Sequence, residues 1–458
     1  MSRAGLKGDT RRKVLWAFGI LAALCPCSIC GGGYFVVRSY FIGPAESLPK
    51  EIRLARQDGI PLEPNDLRPN PPVPDDRNAA NIYGSFFPHL DKVESKHRGI
   101  RNAVSTFLTD TATDEQAAEV RQVLAESRES LDEILAATNR PYCDFRFHYE
   151  DGAKLLFPQF AQFKVAGSLL VARAHDLARQ GHIAEAYDLL ARVDALARHA
   201  GQPPVFIGKL VELSIRGMAM TEFSHLLELS ADRPPLLAKA QATLDGFGPL
   251  TDLRPAFGGE LVMGRIMIHQ IHTLGDLQAL TSESSGTGDG SQAGGGPKLP
   301  DWVTKGMDAR LISRWRQAIE AMPANPAEWD KAYHVLQATD QAVEADDSMV
   351  GKVSQLLFPV LAQSARAVGH LDASRRIAAT SIRLLQDRLT KGSLPATLPN
   401  YGAVSVDPFD GKPLRYRLNR DGFTIYSIDR DGVDNGGTAP VGGKQGDLVR
   451  TYKLRPKR

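Results

Sequence analysis

At 458 residues the chain exceeds what one hydrophobic core usually organises, so two or three domains are expected. Hydrophobic content of 43% and charged content of 24% are those of a folded protein, and a net charge of +2 gives no basis for binding nucleic acid. Four cysteines in this length exclude a disulfide-framed scaffold.

The charge is unevenly placed. Residues 1–13 carry Arg3, Lys7, Arg11, Arg12 and Lys13 against Asp9, a local +4 that leaves the remainder at about −2. This basic leader reads as cytoplasmic. From Val14 to Val37 there is no charged residue, a run of 24. As a helix it would reach about 36 Å, enough for a hydrocarbon layer of roughly 30 Å. Trp16, Tyr34, Tyr40 and Phe41 suit the two membrane interfaces. A transmembrane helix over 14–41 is therefore expected, with the body extracytoplasmic by the positive-inside rule. The alternative is a cleaved secretory signal, with Val14–Leu24 as its apolar region and small residues through Gly33 as its cleavage region. Leu24 stands before Cys25 where a lipoprotein site needs a small residue. Cys25, Cys27 and Cys30 suit a soft metal in principle, but no histidine or acid accompanies them, and membrane-facing thiols are the simpler reading.

Residues 42–80 read as a Pro-rich stalk, kept extended by Pro61, Pro64, Pro69, Pro71, Pro72 and Pro74. A helical domain over 81–280 follows. Val120, Leu124, Leu131, Ile134 and Leu135 recur at helical spacing, and helices are expected at 157–178, 184–199, 205–229, 235–245 and 256–280. Residues 281–300 form a Gly/Ser-rich disordered loop, and helix resumes over 301–391. Past Lys391 the pattern changes. Asp410-Gly411, Asp421-Gly422 and Asp431-Gly432 punctuate short alternating runs at 414–418 and 423–428, which predicts a small antiparallel sheet within 392–458. The expected fold class is mostly α (α+β).

Two resemblances attach to particular residues. Gly181-His182-Ile183-Ala184-Glu185-Ala186 is similar to the helix-to-helix turn of a tetratricopeptide repeat, and Gly369-His370-Leu371-Asp372-Ala373-Ser374 has the same spelling 188 residues later. Without a regular 34-residue period between them, isolated helical hairpins are expected, with a repeat solenoid as the alternative. Gly392-Ser393-Leu394-Pro395, then Asp407-Pro408-Phe409-Asp410-Gly411-Lys412-Pro413, then Phe423–Gly432 follow the order of phrases in the C-terminal half of the major pseudopilins of type II secretion. The resemblance covers roughly 85 of 458 residues. The middle of the chain is also similar to anchored bacterial proteins that join such a tail to a helical body, a likeness that implies no activity.

The pseudopilin resemblance implies a short sheet fed by a helix and a calcium site in the loop after the second strand. Asp431 falls on the family's Asp-Gly position, and Asp429, Asp434 and Asn435 add oxygens of the kind calcium takes. Thr438 and Ala439 replace the family's later acidic ligands, so Asp447 would have to substitute, and a solvated acidic turn is the alternative. The family's glutamate, five residues into its mature helix, has no counterpart after Gly33, so membership of a fibre is not expected.

Chemistry beyond this is sparse. No Gly-x-Ser-x-Gly elbow, phosphate loop, His-Glu-x-x-His or dinucleotide fingerprint occurs. His269 and His272 fall at i, i+3 on one face of the helix expected at 256–280, which could grip a metal, and Asp144, His148 and Glu150 resemble fragments of an acid–base set. Packing roles suit both groups better, and no catalytic residue is assigned. The expected function is a membrane-anchored extracytoplasmic interaction or scaffold protein, held by residues 14–41, with a protein partner and no cofactor except calcium. A cell-envelope hydrolase or metal-dependent enzyme with a site built from scattered residues, and a secretion-system accessory component, are the alternatives.

Overall fold

A computed structural model describes residues 42–276, 296–345, 361–440 and 445–454. The expected membrane helix at 14–41 lies outside these residues, as does most of the Gly/Ser-rich loop. Among the described residues no helix is long and apolar enough to cross a membrane. The described residues divide into two compact units, one of 42–58 with those described within 268–313, and a larger one of 59–267 with those described from 314 onward.

In the smaller unit, the first part of the expected stalk is helical. Helix α1 (Gly43–Gln57) starts with Pro44 in its first turn, where a missing N–H costs nothing, and continues through the good helix formers Lys50, Glu51, Arg53, Leu54 and Ala55. Elsewhere in this unit Leu299 N–H donates to the His272 carbonyl (2.9 Å), and Thr273 bridges Lys298.

In the larger unit, the remainder of the expected stalk packs instead of standing free. Ile60, Leu62, Leu67 and Val73 are buried. Prolines here replace donors that a regular ladder would need, while the intervening apolar side chains dock. Asp66 Oδ2 accepts from the Leu62 and Glu63 amides, both at 2.9 Å. Asn78, fully buried, closes the segment: its Nδ2 donates to the Asp144 carbonyl (2.8 Å) and its Oδ1 accepts from the Asp144 amide (2.9 Å).

Four helices follow: α2 (Ala80–Lys96), α3 (Ile100–Leu108), α4 (Asp114–Glu126) and α5 (Arg128–Ala137). Thr113 and Gln116 form a capping box at the start of α4, each side chain accepting from the other's backbone N–H. Next come α6 (Pro158–Arg179), α7 (Ile183–Ala200), α8 (Phe206–Ser230), α9 (Pro234–Gly246) and α10 (Arg254–His269). Helices α11 (Asp301–Ala321), α12 (Trp329–Glu344) and α13 (Leu361–Lys391) complete the helical part. Tyr83 and Phe87 of α2 meet Phe163 of α6 edge-on, with centroids 5.0 and 4.9 Å apart. All three rings are fully buried, each contributing on the order of 2–3 kcal/mol of transfer free energy.

The α6–α7 turn forms where the sequence places it. Gly181 takes φ +91°, and the amides of Gly181 and His182 close the helix end on the Ala178 and Leu177 carbonyls. The second copy of that spelling is corrected by the structure: Gly369–Ser374 lies inside the unbroken 31-residue α13. A Cβ on Gly369 would stand 2.4 Å from the Trp329 indole, so this glycine admits a ring instead of ending a helix. Helix continues past it because Leu371, Ala373, Ile377 and Ala378 are all buried, so the segment packs on more than one side.

Behind α8 sits a buried ionic network. Arg216, 1% exposed, donates to Asp194 Oδ1 (2.9 Å), Glu212 Oε1 (3.0 Å) and the Gly248 carbonyl (2.8 Å). Charges this deep persist only when paired and hydrogen-bonded, and here α7, α8 and the 247–253 connection supply the partners.

The C-terminal part is a three-stranded antiparallel sheet in the order β1 (Arg415–Asn419), β2 (Gly422–Ser427), β3 (Leu448–Lys453). Phe423 pairs with Leu418 on one side and Tyr452 on the other. Asp407 ties the preceding turn to the sheet. It is fully buried, accepts from the Ile428 amide (3.0 Å) and the Ser427 hydroxyl (2.8 Å), and pairs with Arg415. The protein is therefore mostly helical with one small antiparallel sheet.

Candidate functional site

Helices α6, α8 and α13 leave a cavity of about 570 Å³, lined also by Arg430 of the short turn that follows β2. Val171, Leu210, Leu213, Met218 and Leu371 make its apolar wall. The polar groups in that wall are the Ser214 and Thr221 hydroxyls with Glu222 and His225 of α8, His370 of α13, and Arg430. A mostly apolar pocket with a few convergent polar groups is the usual form of a ligand site.

Each polar group is positioned by an identifiable local cause. Helical spacing sets Glu222 and His225 three residues apart on one face of α8. His370 Nδ1 meets Asp429 Oδ1 at 2.8 Å. Asp429 adopts φ +52°, a region that aspartate tolerates better than most residues, and its amide donates to Ser427 Oγ (3.1 Å). The backbone strain thus aims the Asp429 carboxylate at α13.

Beside the cavity, His175 of α6 is fully buried between two carboxylates. Its Nδ1 lies 3.0 Å from Glu222 Oε2 and its Nε2 lies 3.3 Å from Asp110 Oδ1. Burial opposes the charged ring, yet the hydrogen bond and charge of Glu222, with the charge of Asp110, outweigh it and raise the His175 pKa above its ordinary value. Asp110 follows α3 at φ +54° and also accepts from Arg179 Nη1 (3.1 Å). The His225 ring packs on His175 with centroids 4.9 Å apart. Among the described residues, Asp110, His175 and His225 are the group of histidine, cysteine and carboxylate ligand atoms that lie within 4.8 Å of one another.

None of these three was nominated from sequence. They sit 65 and 50 positions apart on different elements, and the one available signal was a histidine on each of two strongly apolar helices. The residues that were nominated fall elsewhere. Helix α10 ends at His269, so His272 lies beyond it and the two imidazoles do not share a helical face. His269 Nε2 instead meets buried Asp308 Oδ2 at 3.1 Å. Asp144 accepts from the Arg146 amide, Glu150 pairs with Arg68, and His148 is exposed. Phe145, Phe147 and Phe157 between them make a packing patch, with centroids 5.6 and 5.0 Å apart in succession. Cys143 is buried, which raises its thiol pKa well above the ordinary value.

In the acidic loop, Asp447 is fully buried and accepts from the Asn435 amide (3.1 Å) and the Gly437 amide (2.7 Å). Asp431 accepts from the Val433 amide (3.0 Å) and Asn435 Nδ2 (3.1 Å). These three residues share one loop, whereas Asp434 reaches Tyr426 and Arg415, and Asp429 turns to His370.

No family model, curated protein or solved structure matches this chain.

Proposed function

We propose that the protein is a membrane-anchored binding protein whose body lies outside the cytoplasm and takes part of a partner into the cavity between α6, α8 and α13. The apolar run at 14–41 behind a basic leader supports the anchor and its orientation. The observation that carries the binding reading is the cavity itself, an apolar wall ending in Glu222, His225, His370 and Arg430. Such a wall suits a protein segment that presents an apolar side chain with a polar group beyond it. In this reading α6 and α7 act as a tetratricopeptide-like hairpin, and the pseudopilin-like sheet packs on α13 and supplies Arg430. Calcium, implied by the same resemblance, would sit on the loop shared by Asp431, Asn435 and Asp447.

The test uses the full-length chain in its native membrane with a photo-crosslinking residue in place of Met218. A discrete protein adduct is expected, and it should disappear when Leu210→Glu charges the cavity wall. A chain that yields no adduct, or one indifferent to Leu210→Glu, overturns the binding reading. An enzymatic reporter fused at the C-terminus and active solely in the cytosol overturns the placement.

A further inference from the structure

We propose that Asp110, His175 and His225 hold a divalent transition-metal ion of the zinc type, with Glu222 as the carboxylate partner of His175. The donor set is one carboxylate oxygen and two imidazole nitrogens, three protein ligands of the kind that leave a fourth tetrahedral position open. The geometry agrees with this at two points. Metal–nitrogen and metal–oxygen bonds of about 2.0–2.1 Å place neighbouring tetrahedral ligand atoms about 3.3 Å apart. His175 Nε2 and Asp110 Oδ1 are separated by 3.3 Å. The other nitrogen of the ring, Nδ1, stands 3.0 Å from Glu222 Oε2, the carboxylate–histidine–metal arrangement that fixes the tautomer and strengthens the ligand.

A separate observation points into the same place. Glu222 is 2% exposed, and its Oε1 has no hydrogen-bond partner among the described residues. A buried carboxylate oxygen without a donor is costly, and Glu222 lines the cavity together with His225. The ion would sit on the Nε2 side of the ring, out of direct reach of Glu222, so a water held by it on the cavity side would be the donor this oxygen lacks. Arg179 Nη1 already donates to Asp110 Oδ1 (3.1 Å), so with the ion in place that oxygen would serve the ion and the guanidinium together. The open position belongs to the cavity side, because two of the four residues form the cavity wall, and an anionic or carbonyl oxygen of a ligand would fill it.

Without an ion the same groups would make a buried imidazolium clamped by two carboxylates, and cobalt separates the two states. Full-length protein in detergent, stripped with a chelator and then given cobalt(II), is passed through a desalting column. One retained cobalt per chain is expected, with the intense visible bands of a tetrahedral site and no thiolate charge-transfer band. Those bands should vanish in His225→Ala and Asp110→Asn at unchanged helical circular dichroism, and survive in His269→Ala and His370→Ala. Glu222→Gln should weaken retention about 10- to 100-fold. Absence of retained cobalt in the unmutated chain overturns the proposal. So does retention unaffected by His225→Ala, a thiolate band assigning the ion to the cysteines, or loss in His269→Ala. Glu222→Gln with unchanged affinity removes Glu222 from the site.

Discussion

Gly181–Ala186 and Gly369–Ser374 have nearly the same spelling, glycine, histidine, an aliphatic residue and small residues beyond, and the two stretches adopt opposite conformations. At Gly181 the backbone turns left-handed with open space around it, and α6 gives way to α7. At Gly369 the backbone stays helical, and Trp329 lies where a side chain would begin. Trp329 also packs on Phe409, with ring centroids 4.8 Å apart. One glycine is chosen for its torsion and the other for its lack of volume. Similar local chemistry is resolved by what packs against it.

The comparison can be broken most sharply at position 369. Gly369→Leu should destabilise the larger unit by about 3 kcal/mol, the upper end of overpacking costs. Gly369→Ala should cost less, and in a Trp329→Leu background it should become stabilising by about 0.5–1 kcal/mol, because alanine then contributes only its helix preference. Chemical denaturation of the four members of that cycle measures the coupling. Additive costs would show that the indole is not what the glycine accommodates.

The α6–α7 hairpin that turns at the other glycine carries two buried histidines with opposite pH responses. His199 of α7 sits at about 4, since burial penalises the charged ring by more than its hydrogen bond to the Arg140 carbonyl restores. Its neutral form is the native one, so its stabilisation is fully present above the unfolded value of 6.5 and is lost as pH falls toward 4. At about 1.4 kcal/mol per unit, that window is worth about 3.5 kcal/mol. His175 is raised, so in the metal-free protein its contribution is present below the unfolded value of 6.5 and is lost as pH rises through its folded value. Melting temperature against pH for His199→Gln and His175→Gln should flatten the acid and the neutral-to-alkaline limbs respectively. A single limb responding to both variants would contradict the two environments.

The smallest effect belongs to Gly181→Ala. A left-handed residue with free space around it costs about 1 kcal/mol and nothing more when it gains a Cβ. The same change in a Trp329→Leu background should cost the same amount, and any coupling between positions 181 and 329 would undo the contrast drawn here.

Much of the fold was legible along the chain because its causes are local. Helices expected at 157–178, 184–199 and 205–229 occur at Pro158–Arg179, Ile183–Ala200 and Phe206–Ser230, since apolar period, proline and glycine act within a turn or two. The alternating runs before and after Asp421-Gly422 became β1 and β2 for the same reason. The misread stretches share a different cause. Prolines at 61–74 signalled extension correctly, but whether an extended segment stands in water or docks depends on a surface that Ile60, Leu62, Leu67 and Val73 find far away in sequence. The candidate site is the extreme instance. Asp110 comes from the end of α3, His175 from α6 and His225 from α8, and their meeting depends on how those elements pack.

By itself the sequence determined where the chain coils, turns and pairs into strands, because hydrogen bonding and torsional preference are settled among near neighbours. The tertiary structure alone decided which glycine bends the chain and which admits a tryptophan, and which histidines face carboxylates across a buried wall. Those outcomes come from close packing between distant segments, and a linear pattern carries no record of which surfaces will meet.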